Sequence, residues 1–178
     1  KGMIVIADIK RGDIGSTAQG YSNAYLGKTK IGDIEQSIYD IDFVTVNPYM
    51  GTDCVKPFID DCKKYNKGLF ILVKTSNPSS GELQDLKLEN GKEVYKQVAE
   101  LVEKWGAELI GKNGYSSIAA VVGATYPEQL KDIRKRFGLS QEQLAQIINV
   151  SRQAITKWEN DGGLPDVSNL QELSKVFG

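Results

Sequence analysis

Four apolar, β-branched runs recur along this chain, at residues 3–7, 43–46, 69–73 and 118–122. Each is followed by a turn containing glycine or asparagine and then by a stretch of helical periodicity, at 17–26, 53–65, 92–105 and 127–135. That succession is the pattern of parallel βα units, because parallel strands need a long crossover connection. In the third helical stretch Val94, Val98, Leu101 and Val102 fall at helical spacing. Strands apolar throughout are expected to be buried on both faces. The four units span about 130 residues, whereas a closed eight-stranded βα barrel typically takes about 250. The expectation is an α/β fold: a partial barrel of about four βα units, or a small open sheet.

The character changes near Arg134, after which no strand-like run recurs. Ser140 with Gln143 forms a capping box, and Leu144, Ala145 and Ile148 give an apolar face. Asn149-Val150 is a tight break before Ser151 caps a helix over 152–160, with Ala154, Ile155 and Trp158 facing inward. Beyond Gly162-Gly163 and Pro165, a last helix sets Val167, Leu170, Leu173 and Phe177 on one side. The expected organisation is a partial barrel over 1–134 and an all-α domain over 131–178, with residues 131–137 continuing one helix across the boundary.

Composition narrows the chemistry. The 178 residues carry 22 basic and 23 acidic groups and no histidine. Imidazole metal ligands, Ser-His and Cys-His nucleophile pairs and histidine bases are thereby excluded, and no metal site is expected. Acid–base work falls to Asp, Glu, Lys or Tyr. No run approaches the roughly 18 to 20 apolar residues that span a bilayer, so the chain reads as cytoplasmic, without a membrane partner. Cys54 and Cys62, eight residues apart on one helix, would lie about 12 Å from each other, too far for a disulfide. Two free thiols are expected. Lys1-Gly2-Met3 leads straight into an apolar run, which suggests that further sequence precedes it.

The densest chemistry is 8–17, Asp-Ile-Lys-Arg-Gly-Asp-Ile-Gly-Ser-Thr, at the carboxyl end of the first strand, where βα folds place active sites. Alternation sets Asp8 and Lys10 on one side of that strand. An ion pair and a loop leading into a helix capped by Ser16 or Thr17 would account for the same residues.

Asp8-x-Lys10-x-x-Asp13-Ile14-x-x-Thr17 resembles the active-site signature of the orotidine 5′-monophosphate decarboxylases. The resemblance continues through Thr45-Val46-Asn47-Pro48-Tyr49-Met50-Gly51, Val73-Lys74-Thr75-Ser76-Asn77-Pro78 and Val121-Val122-Gly123-Ala124-Thr125, covering residues 1 to about 134. It implies a cofactor-free decarboxylation of orotidine 5′-monophosphate to uridine 5′-monophosphate. Asp8 would face the substrate carboxylate and Lys10 would protonate C6. Asp13, beside Ile14 and Thr17, would reach across a dimer interface, and Ser76 would hydrogen-bond the pyrimidine. The resemblance also implies that strands carrying a ribose-binding Asp and a further Lys belong before Lys1, and two strands with the phosphate-gripping loop after the sixth. Without them this polypeptide is expected to be a poor decarboxylase.

The helices resemble a second family. Residues 138–145, Gly-Leu-Ser-Gln-Glu-Gln-Leu-Ala, and 150–160, Val-Ser-Arg-Gln-Ala-Ile-Thr-Lys-Trp-Glu-Asn, are similar to the Cro and phage-repressor type helix-turn-helix domain. This implies duplex DNA as a partner. Gln141 and Asn160 would contact phosphates, and Arg152, Gln153, Thr156 and Lys157 would face the groove. Lys131, Arg134, Lys135 and Arg136 would add positive charge beside the backbone, although such a cluster is more often a solvated helix face. A generic small helical bundle fits the same pattern. Two functions therefore stand: DNA binding by helices carried on an incomplete decarboxylase scaffold, or a decarboxylase active once missing strands are supplied. Open sheet edges and both resemblances point to a homodimer or larger oligomer.

Overall fold

The computed structural model describes residues 2–123, 127–160 and 162–177. Ala124 and Thr125, the end of the fourth motif, lie outside the described residues. Contacts divide the chain into two compact units, Lys1–Val122 and Gly123–Gly178.

The first unit is built on a four-stranded parallel sheet of order β1-β4-β5-β6, with β1 Ile6–Arg11, β4 Phe43–Val46, β5 Gly68–Lys74 and β6 Ile118–Val122. The helices α1 Gly15–Tyr25, α2 Thr52–Tyr65 and α4 Val94–Gly106 follow β1, β4 and β5, as the alternating pattern requires. Val44, Val46, Leu69, Ile71 and Val73 pack with Phe58, Cys54 and Cys62 of α2 in one core. Both cysteines are free and buried, and burial pushes the Cys62 thiol up to about 12. Gly68 lets the Phe43 ring lie across the foot of β5, since a Cβ there would stand 2.1 Å from it. A short helix α3, Gly81–Gln84, follows a 3-10 turn at Pro78–Ser80.

Two expectations are corrected and one unassigned segment is filled. The first strand begins at Ile6, not residue 3, because the ladder to β4 opens at Ile6↔Phe43; Met3 and Ile4 lie outside it, 83% and 70% exposed. A hairpin, β2 Thr29–Ile31 with β3 Ile34–Gln36, lies in a segment to which the sequence pattern assigned no element. Burial on both faces fails at the sheet edge, where Ala120 and Val122 of β6 are exposed.

The second unit is helical: α5 Pro127–Arg136, α6 Gln141–Ile147, α7 Arg152–Glu159 and α8 Val167–Phe177. The capping box holds, with Gln143 N donating to Ser140 Oγ at 3.1 Å and Ser140 N to Gln143 Oε1 at 2.8 Å. Asn149 turns the chain with φ +55°, and Ser151 Oγ accepts from Ala154 N. Leu144, Ala145, Ile148, Ile155, Trp158 and Leu173 form the core, whereas Leu170, expected on the same helix side as Leu173, is 38% exposed. Arg134 also departs from expectation. Its guanidinium is buried, 8% exposed, and grips Glu159 through two nitrogens and the Leu139 carbonyl through a third. It is committed to this unit's interior rather than to an outer basic face.

Among the described residues no helix is long and apolar enough to cross a membrane, and no cluster of His, Cys, Asp and Glu could hold a metal ion.

Candidate active site

On β1 the exposed Asp8 and Lys10 alternate with Ala7 and Ile9, which pack against the helical core, while Arg11 at the strand's end lies over the Tyr21 ring of α1. Lys10 Nζ donates to Asp8 Oδ2. The pair meets by a route that simple alternation does not describe. The β1–β4 register slips between Ala7 and Arg11, and Lys10 takes φ +46°. Among the described residues the other non-glycine residues at positive φ are Asp40, Asn66 and Asn149, types that tolerate the left-handed region.

Thr45 of β4 completes the group. Its hydroxyl donates to Asp8 Oδ1 at 2.8 Å and accepts from Lys10 N at 2.9 Å. These contacts, the Lys10 ammonium first and the Thr45 hydroxyl second, hold the Asp8 carboxyl below its usual range. Thr45 stood in a quoted motif without a role; the signal was its place on the strand that must neighbour β1.

Immediately after Lys10 the chain passes close to the end of β4. Asn47 N donates to the Arg11 carbonyl at 2.8 Å, and a Cβ on Gly12 would stand 2.6 Å from the Asn47 carbonyl oxygen. Only glycine fits that passage. Asp13, half-buried, accepts from Ile14 N through Oδ1 at 2.8 Å. Ile14, 60% exposed, is the N-cap of α1, and Thr17 is exposed in the first turn. No side-chain cap forms there, so neither Ser16 nor Thr17 starts the helix.

Ser76 lies exposed just past β5, beside a clamp that the sequence did not reveal. Thr75 N donates to Gln84 Oε1 and Gln84 Nε2 donates to Thr75 Oγ1, both at 2.8 Å. Lys74, 1% exposed, pairs with Asp85. The Gly111–Gly114 segment is a turn whose Gly111 and Gly114 amides donate to Tyr115 and Gly111 carbonyls, not an anion cradle.

The chain as a whole is similar to known proteins. The family model described as "Orotidine 5'-phosphate decarboxylase / HUMPS family" matches residues 1–164. The chain belongs to this family. The orotidine 5′-phosphate decarboxylase of Caldicellulosiruptor bescii is 53% identical over 135 residues, covering 76% of this chain and 44% of that protein. That of Rhodopirellula baltica is 49% identical over 134 residues, or 43% of its length. The chain thus spans less than half of these relatives. Among solved structures, the Leishmania donovani OMP decarboxylase gives a TM-score of 0.53 at 35% identity, over 76% of this chain and 46% of that one. The Toxoplasma gondii structure, titled a putative orotidine-monophosphate-decarboxylase, gives 0.52 at 38%. The parallel sheet of this family member therefore resembles part of the decarboxylase barrel.

In the helical unit, Arg152, Gln153, Lys157 and Asn160 are exposed and, with Ser151 and Thr156, line a surface hollow of about 710 Å³. Gln141 is half-buried: its Nε2 donates to Glu159 Oε2 at 2.7 Å, and its Oε1 lies 3.1 Å from Thr156 Oγ1. Asn160 Nδ2 donates to the Thr156 carbonyl at 2.9 Å. Burial pushes the Glu159 carboxyl up, but the hydrogen bonds from Arg134 and Gln141 outweigh it and leave it below the usual range.

Proposed function

We propose that the first unit carries the proton-transfer array of an orotidine 5′-monophosphate decarboxylase. The observation that carries this reading is the Asp8–Lys10–Thr45 group at the carboxyl end of β1, built at the cost of a left-handed lysine. In this reading the C6–carboxylate bond of orotidine 5′-monophosphate breaks, carbon dioxide leaves, and the electron pair stays on C6. Lys10 Nζ gives C6 a proton, yielding uridine 5′-monophosphate and a neutral amine that solvent reprotonates. Asp8 opposes the substrate carboxylate by like charge and holds the ammonium in place, so the array favours the transition state over the ground state. Ser76 reads the pyrimidine, and Asp13 with Ile14 and Thr17 serves a neighbouring copy. Binding energy from a remote phosphate normally supports such a centre, and none of the described glycine turns offers that grip. The 178-residue chain should therefore release carbon dioxide from carboxyl-labelled substrate slowly, and Lys10→Ala should abolish the release. Release unaffected by Lys10→Ala would refute the assignment.

The helical unit supports a second reading: α7 binds duplex DNA. The exposed Arg152, Gln153 and Lys157 beside the 710 Å³ hollow favour it; the comparisons support the decarboxylase reading, and this one rests on the helices. Arg and Gln can read guanine and adenine through paired hydrogen bonds. Gln141, tied to both Thr156 and Glu159, would set the helix angle. Selection from random duplexes should enrich a motif whose binding falls by roughly 1–3 kcal/mol in Arg152→Ala or Gln153→Ala. No enriched motif would remove the reading.

A further inference from the structure

The loop that carries Ser76 is fastened by side chains that the proposed reaction leaves unused. Lys74, the last residue of β5, and Thr75 after it meet Gln84, the last residue of α3, and Asp85 after it. Lys74 is 1% exposed; its Nζ pairs with Asp85 and lies 5.3 Å from the centre of the Tyr95 ring of α4. Gln84, half-buried, accepts from Thr75 N and donates to Thr75 Oγ1, both at 2.8 Å. From there the hydrogen bonds run past Ser76. Thr75 Oγ1 donates to Asn77 Oδ1 at 2.6 Å, and the Asn77 carbonyl accepts from Ser80 N at 3.0 Å. The residues before and after Ser76 are thereby tied to each other and, through Thr75, to Gln84. Pro78 then holds Asn77 in extended backbone, φ −70° and ψ 148°. Ser76 itself stays exposed between them.

We propose that Gln84 and Asp85 are positioning residues for Ser76: they set its loop in the pyrimidine-reading conformation before a ligand arrives. The proposal rests on the decarboxylase reading and deepens it, by naming what holds the residue that meets the base. The order of causes starts at the sheet. A buried ammonium needs an opposite charge, so Lys74 draws Asp85 to the end of β5. Asp85 brings its neighbour Gln84 within reach of Thr75. A side-chain amide both accepts and donates, so Gln84 meets the N–H and the hydroxyl oxygen of Thr75 at once. The Thr75 hydroxyl keeps its own proton for Asn77. Fixing Thr75 and Asn77 fixes the backbone on either side of Ser76, so the direction of the Ser76 hydroxyl is set by side chains other than its own. A loop ordered on folding has less freedom left to lose on binding. The Lys74–Asp85 pair alone would close the loop; the bonds of Gln84 and Asn77 act on the two residues that flank Ser76.

A double-mutant cycle on the full chain tests this, read by nuclear magnetic resonance during titration with uridine 5′-monophosphate. Gln84→Leu removes both hydrogen bonds to Thr75 at similar volume. It should speed hydrogen exchange of the Thr75 amide and weaken uridine 5′-monophosphate binding roughly threefold to tenfold, the range for one misplaced neutral hydrogen bond. In a Ser76→Ala background the same substitution should change binding by less than about twofold, because Gln84 acts through Ser76. Gln84→Asn, one methylene too short to reach Thr75, should behave alike, and it carries the cycle if the β5 amide shifts show that Gln84→Leu disturbs the sheet. Unchanged binding in both variants overturns the proposal. So does a loss that persists undiminished in the Ser76→Ala background, which would be an effect on the fold. Failure of the decarboxylase reading shows elsewhere: the unaltered chain would not bind uridine 5′-monophosphate, or Ser76→Ala alone would bind it as well, and the proposal falls with that reading.

Discussion

Lys10 holds a backbone conformation that costs a lysine about 1–3 kcal/mol, yet its partner Asp8 is a solvent-exposed carboxylate, and exposed pairs return little stability. The geometry is not explained by stability, which is the residue-scale case for function. Thr45→Val removes the second hydrogen bond to Asp8 at nearly constant volume. The Asp8 carboxyl should then titrate closer to its ordinary value of 3.8, an upward move visible in carbon-13 carboxyl shifts. Gly12→Ala forces a Cβ against the Asn47 carbonyl, and overpacking of this kind costs about 1–3 kcal/mol, measurable by urea unfolding. The closeness of Asp8 and Lys10 was legible from a two-residue spacing. Thr45 was not, because it lies 37 residues on and cross-strand register depends on where the ladder opens. The same register moved the start of β1 three residues past its apolar text.

Single elements were most legible where the signal is local. The capping box at Ser140, the break at Asn149 and the cap at Ser151 are each written within four residues, and each is present. Elements were misread where the partner is distant. Arg134 sits among Lys131, Lys135 and Arg136 and looks like one more surface cation. It is buried only because Glu159 arrives from α7 to meet it. The hairpin β2–β3 turns at Gly32-Asp33, with Gly32 at φ +60°, but Lys30 and Glu35 hid its strands among polar text. Arg134→Met should destabilise the helical unit by about 3–5 kcal/mol by stranding the Glu159 carboxylate. Ser140→Ala, at an exposed cap, should cost only about 0.5–2 kcal/mol. Thermal melts of the two variants should rank accordingly; equal losses would deny Arg134 its place in the core.

Across the whole chain two separate apolar cores mark the two units, and each unit holds one tryptophan: Trp105 on α4, whose indole donates to Thr52 at 3.2 Å, and Trp158 on α7. Trp158→Phe leaves Trp105 to report the first unit, and Trp105→Phe leaves Trp158 to report the second. Acid should separate them. Glu159 is held below its ordinary value of 4.5, so the folded state binds this proton less readily than the unfolded state. The stability it contributes is complete above that value and is lost as pH falls through the folded pKa. The first unit's lowered carboxyls, Asp8, Glu93 and Glu108, sit in solvent-accessible pairs and contribute little. Between about pH 6 and pH 3 the Trp158 melting temperature should therefore fall further than that of Trp105. Glu159→Gln should lower the Trp158 transition at neutral pH and flatten its acid dependence. If both tryptophans report one coincident transition at every pH, the two cores unfold as one, and the buried Arg134–Glu159 pair is not what makes the helical unit acid-sensitive.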